Sequence, residues 1–105
     1  MKKAERIKKQ IEFDKIIKTS KSKKNAFFVL HSCSKKEDIS RFGIAVGTKI
    51  GNAVVRNKMK RRVREIINEE KNLFSNTFDY IIIVRKPSLD LEYKQMKENL
   101  INLIK

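Results

Sequence analysis

Apolar positions recur along the chain with two periods, and the changes of period divide it. Gln10–Lys18 carries Phe13, Ile16 and Ile17 at helical spacing, which predicts a short helix. Ala26–His31 (AFFVLH) is an apolar, aromatic run and predicts a buried strand. Phe42–Val46 predicts a second strand. Residues 54–70 predict the main helix: Val55, Met59, Val63, Ile66 and Ile67 recur at steps of four, four, three and one and form one stripe. Tyr80–Val84 (YIIIV) is apolar throughout, as suits a strand covered on both faces. A last helix starts between Asp90 and Tyr93, with Tyr93, Met96, Leu100, Leu103 and Ile104 as its stripe.

Polar stretches fill the intervals. Lys18–Asn25 (KTSKSKKN) reads as a loop, Ser32–Ser40 as a nine-residue connection suited to a loose hairpin, and Asn72–Asp79 as a loop. Gly47–Asn52 is a turn, with Asn52 placed to cap the main helix. Arg85-Lys86-Pro87-Ser88 breaks the last strand. Residues 1–9 are basic and expected to be flexible. The order α-β-β-α-β-α predicts an α+β sandwich on a mixed sheet of four strands or fewer. Strand 42–46, helix 54–70 and strand 80–84 form a βαβ unit with parallel strands. At 105 residues the chain makes one domain, 1–105.

Charge changes the picture. The net charge is +14 and the pI about 10.1, which points to a polyanion, either nucleic acid or an acidic membrane. Residues 41–64 hold eight Lys or Arg and no acid, against twelve basic and five acidic in 1–40 and six and seven in 65–105. No apolar run reaches signal-peptide or membrane-spanning length, so a cytoplasmic protein without a membrane partner is expected. Cys33 is the only cysteine, so no disulfide can form within the chain.

The basic residues of the main helix have a definite geometry. At about 100° per residue, Arg56, Lys60 and Arg64 make a row beside the apolar stripe. Asn57 and Arg61 form the next row, with Lys58 and Arg62 on the far side. No acid comes before Glu65, so pairing within the helix does not explain these cations. The arginine fork suits phosphate. The acids Glu65, Glu69 and Glu70 lie in the last turns, where the helix dipole disfavours them, and nothing in the sequence accounts for that.

Other residues carry less. Asp and Glu are scattered without metal-ligand spacing, so no catalytic or metal site is expected on the protein. Gly51 serves turn geometry, since no GxGxxG or Walker sequence follows it. His31 suits either a nucleic-acid contact or a plain strand end. Alternation along a strand puts one of Phe27 and Phe28, not both, on a ligand-facing side. Phe42, Tyr93 and Met96 read as core.

The stretch Lys49-Ile50-Gly51-Asn52-Ala53-Val54-Val55-Arg56-Asn57-Lys58-Met59-Lys60-Arg61-Arg62-Val63-Arg64 resembles the signature of the protein subunit of bacterial ribonuclease P: a lysine, one residue, GNAV, one residue, RN and a basic helix. RIKKQIEFDKI (Arg6–Ile16), FFVLH (Phe27–His31) and DYIIIVRKP (Asp79–Pro87) extend the likeness over most of the chain.

The resemblance implies a fold like the second domain of a small-subunit ribosomal protein and of elongation factor G, with a left-handed βαβ crossover against the usual rule. It implies part of an endonuclease that removes the 5′ leader from precursor tRNA, with Mg²⁺ bound mainly by the catalytic RNA and the chemistry carried there. Ribonuclease P RNA and precursor tRNA are the implied partners, with no obligate protein partner. Lys49, Arg56, Asn57, Lys58, Lys60, Arg61 and Arg64 match positions that face the catalytic RNA. The family's leader groove lies between the first helix and the sheet and is lined with aromatics. Phe13 keeps one such position, Ile17 stands where a second aromatic is common, and His31 where tyrosine is common; the implied groove stacks bases less strongly. The rival readings are a structural RNA-binding protein, such as a ribosomal one, and a DNA-binding module, for which no helix-turn-helix or zinc pattern is present.

Overall fold

The computed structural model describes residues 6–7, 10–34, 41–74 and 78–104. In chain order its elements are α1 (Gln10–Thr19), β1 (Lys21–Lys24), β2 (Phe28–Ser34), β3 (Arg41–Val46), α2 (Ala53–Glu69), β4 (Phe78–Val84) and α3 (Tyr93–Ile104). Short 3-10 turns occupy Thr48–Ile50, Lys71–Leu73 and Lys86–Asp90. The four strands form one sheet in the order β1-β2-β4-β3. β1 and β4 each pair antiparallel with β2, while β3 runs parallel to β4. This is the expected α+β architecture on a mixed sheet, and β3-α2-β4 is the predicted parallel βαβ unit.

Two parts of the topology differ from the sequence reading. Lys18–Asn25 is not all loop, because Lys21–Lys24 forms the edge strand β1. Its four residues are all exposed, so there is no apolar alternation to reveal it. The segments 26–31 and 42–46 are not hairpin partners either, since β4 lies between them. A strand apolar on both faces belongs in the middle of a sheet, and β4 takes that place. β2 also runs on to Ser34, beyond the expected end at His31.

Alternation then assigns the two faces of the sheet. Phe28 and Leu30 of β2, Phe42 and Val46 of β3, and Tyr80, Ile82 and Val84 of β4 face α2 and α3. There they meet Met59, Val63, Ile66 and Ile67 from α2, and Met96, Leu100 and Leu103 from α3. Phe74, in the stretch taken for a loop, is also buried here. Its ring meets Phe42 edge-on at 5.1 Å and Tyr80 at 5.0 Å. The opposite face carries a smaller cluster, in which Ile81 packs with Ile16 of α1 and with Ile7.

Local signals explain the ends of α2. Asn52 caps it as predicted, its side-chain oxygen accepting the Val55 N–H at 3.0 Å. At the other end, Glu69 accepts from the Tyr93 hydroxyl at 2.5 Å and from Lys97 Nζ at 2.6 Å, and Glu70 lies 3.4 Å from the same Nζ. Two of the three acids that oppose the dipole, Glu69 and Glu70, are thus held by α3. The N-terminus differs from expectation at Arg6–Ile7, which pair with β3: the Ile7 N–H donates to the Phe42 carbonyl at 3.0 Å, and Ile7 is buried. The remainder of 1–9 expected to be flexible, residues 1–5 and 8–9, lies outside the described residues.

Candidate nucleic-acid interface

α2 presents its cations as the spacing requires. Asn57, Lys58 and Arg61 are exposed, as is Lys49 in the preceding turn. Arg56, Lys60 and Arg64, nearer the apolar stripe, are half-buried. Arg56 Nε is a buried donor with no hydrogen-bond partner. Arg62 departs from the expected far side shared with Lys58: it is half-buried and turned toward α3, its Nη1 3.8 Å from Met96 Sδ.

Lys60 and Arg64 do more than point outward. With Arg6, Ile7, Phe13, Phe42 and Ile44 they line a cavity of about 300 Å³ at the β3 edge. Burial, and then the charge of Arg6, lower the pKa of the Arg64 guanidinium from its ordinary value. A cavity with three cationic side chains and an apolar floor suits an anion that carries a flat apolar part, as a nucleotide does.

α1 crosses the other face of the sheet. Its Phe13 ring lies against the backbone of β3 at Gly43, where a β-carbon would stand 2.5 Å from Phe13 Cζ. Ile17 is one helical turn further on and 37% exposed. His31, opposite Ile81 in the register, is half-buried. Its Nδ1 lies 2.9 Å from Ser20 Oγ, which also donates to the Ile17 carbonyl at 3.3 Å. Burial lowers the His31 pKa from its ordinary 6.5. Beside α1 the half-buried row Ala45, Ile83 and Val29 crosses the sheet on the same face. Phe13 and Ile17 on α1 and His31 on β2 therefore belong to the same side of the sheet, Phe13 over β3 and His31 beside Ser20 at the end of α1. Neither Phe27 nor Phe28 joins them: Phe28 is fully buried against α2 and α3, and Phe27 packs on that same core. Phe27 precedes the first residue of β2, so strand alternation does not apply to it.

The opposite side of α1 is fastened by charge. Arg41 Nη1 donates to Glu12 at 2.6 Å, and Arg41 Nη2 to Asp79 at 2.9 Å. The hydrogen bond to Asp79 is the largest cause raising the Arg41 pKa. Sequence reasoning missed this cluster, because its members are 29 and 38 positions apart and no local pattern joins them. It also missed Gly43, although a glycine inside a strand is a signal of close approach.

A sequence model of the ribonuclease P family matches residues 1–105. The chain belongs to the ribonuclease P protein family. A ribonuclease P protein component from Bacillus cereus (strain B4264) is 43% identical over 106 residues, covering all of this chain and 92% of the relative. A Staphylococcus aureus RNase P protein structure matches with a TM-score of 0.90 and 40% identity, over 97% of this chain and 94% of that one. The Thermotoga maritima RNase P protein matches with a TM-score of 0.87 and 36% identity, over 95% and 94%. Membership of the ribonuclease P family makes this a ribonucleoprotein component in tRNA processing and implies partnership with the ribonuclease P RNA. No helix among the described residues is long and apolar enough to cross a membrane.

Proposed function

We propose that the protein binds the catalytic RNA of ribonuclease P through α2 and the 5′ leader of precursor tRNA through the groove beside α1. It thereby holds the substrate while the RNA carries out Mg²⁺-dependent cleavage that forms the mature tRNA 5′ end. Lys49, Arg56, Asn57, Lys58, Lys60, Arg61 and Arg64 contact phosphates and sugars of the catalytic RNA. Phe13, Ile17 and His31 contact leader bases. One observation carries this reading: Phe13 of the groove and Lys60 and Arg64 of α2 line a single cavity. A leader seated on Phe13 then lies against the helix that meets the catalytic RNA.

The protein's part is binding and orientation. Mg²⁺ supplies an activated water and a counter-charge at the scissile phosphate, and we assign it to the RNA. We assign the protein no catalytic step of its own, in keeping with carboxylates that are scattered along the sequence without metal-ligand spacing.

Reconstitution with catalytic RNA and precursor tRNA at low Mg²⁺ tests the role: adding the protein should restore cleavage. Phe13→Ala should weaken binding of leader-bearing substrate by about 1–3 kcal/mol, the scale of one base stack, and leave mature tRNA binding unchanged. Equal losses for both RNAs would place Phe13 in the core and remove the groove from the mechanism.

A further inference from the structure

β1 carries charge that the groove and α2 do not account for. Lys21, Ser22, Lys23 and Lys24 are all exposed, at the sheet edge opposite β3. From Lys15 to Ser34 the chain holds five lysines and no acid. No salt bridge engages Lys18, Lys21, Lys23 or Lys24 among the described residues.

The register divides these lysines between the faces. Ser22 pairs with His31 and Lys24 with Val29, so both project from the groove side. Lys21 and Lys23, opposite Ser32 and Leu30, project from the other side. The row Ala45, Ile83 and Val29 that floors the groove therefore ends in Lys24. Lys18, in the last turn of α1 and next to Ile17, stands exposed at the same end. The groove thus has cations at both ends. Lys60 and Arg64 stand at the β3 edge, and Lys18 and Lys24 at the β1 edge, three strand spacings or about 14 Å away.

We propose that Lys18 and Lys24, with the Ser22 hydroxyl, form a second phosphate-binding station where the leader continues after it leaves the groove. Every side chain on this track is a hydrogen-bond donor, three of its chemical features being two ammonium groups and one hydroxyl, which matches phosphodiester oxygens of single-stranded RNA. The inference rests on the groove reading given above. Lysines on edge strands also deter edge-to-edge pairing of sheets. That role makes the two faces of β1 equivalent, whereas a leader track uses one.

The test uses holoenzyme reconstituted with the catalytic RNA, and precursor tRNAs with leaders of roughly 4 and roughly 12 nucleotides, within the span that small single-strand-binding domains cover. The unaltered protein should bind the longer leader more tightly. Lys18→Gln/Lys24→Gln should lose about tenfold in affinity for the longer leader near physiological salt, with a log–log salt slope smaller by about 1.4, which is two single-strand contacts. Its affinity for the shorter leader should not change. Lys21→Gln/Lys23→Gln should keep both affinities. Equal losses in the two double variants, no loss in Lys18→Gln/Lys24→Gln, or a change confined to solubility would each overturn the proposal. Failure of the groove itself shows separately, as Phe13→Ala weakening leader-bearing and mature tRNA alike.

Discussion

A β-carbon on Gly43 would approach three atoms of the Phe13 ring at 2.5–3.1 Å, so alanine there forces the ring or α1 to move. Gly43→Ala should cost about 1–3 kcal/mol by overpacking and reproduce the leader-specific defect of Phe13→Ala. A variant with unaltered melting temperature and leader affinity would show that the ring does not rest on β3 in solution. His31 offers a second reading at this scale, since it is the only histidine in the chain. Burial holds its folded pKa below the ordinary 6.5, so well above that pH the ring is neutral in the folded and unfolded chain alike and contributes no pH dependence to stability. As pH falls through 6.5 the unfolded imidazole takes up a proton before the folded one does. Stability is therefore lost below about pH 6.5, and the loss is complete once the pH passes the folded value. A ring-proton NMR titration gives that pKa directly; a value above 6.5 would contradict the burial. Leader phosphates drawn near the ring should move it upward.

At the scale of elements, α2 separates a binding face from a folding face. Arg61 is exposed and Val63 fully buried, only two positions apart. Arg61→Ala should keep the circular dichroism spectrum and reduce the salt slope of catalytic-RNA binding by about 0.7–0.9, one phosphate contact. Val63→Asp puts a carboxylate under the helix and should unfold the domain. An unchanged slope for Arg61→Ala would turn another face of α2 toward the RNA. The docking of α1 depends on the buried Asp79 that holds Arg41. Asp79→Ala leaves Arg41 with Glu12 alone and should cost about 1–3 kcal/mol by thermal unfolding, a range reduced because Arg41 is partly exposed. The sequence made α1, α2 and α3 legible by their apolar period, and most of β2, β3 and β4 by their apolar runs. β1 was illegible because all of its side chains meet water. The expected hairpin of β2 with β3 failed for a different reason: a nine-residue connection permits a hairpin but does not require one, and β4 takes the place between the two strands. The positions of Phe13, Ile17 and the α2 rows followed from helical spacing. The cavity that joins them, and the partners of Glu69 and Glu70, depend on segments distant in sequence.

Over the whole molecule, the basic surface wraps from α2 across the groove to β1, while four acids are engaged in ion pairs, Glu12 and Asp79 with Arg41, and Glu69 and Glu70 with Lys97. Purified protein with Mg²⁺ alone should leave precursor tRNA intact; cleavage that survives nuclease-free purification and tracks one side chain would contradict the division of labour between protein and RNA. The strand order has a consequence for how the chain is made. β4 sits between β2 and β3, yet it is synthesised after both. A chain made only as far as residue 77 has both neighbours of β4 but not β4 itself. The apolar stripe of α2 then lacks Tyr80, Ile82 and Val84, the middle of the wall it packs on. The 7 residues of β4 take roughly 0.3–1.4 s to add at ordinary elongation rates. During that interval a half-made polycation emerges beside the ribosome's own RNA, the densest phosphate surface within reach, before it has the sheet that would restrict which RNA it can hold.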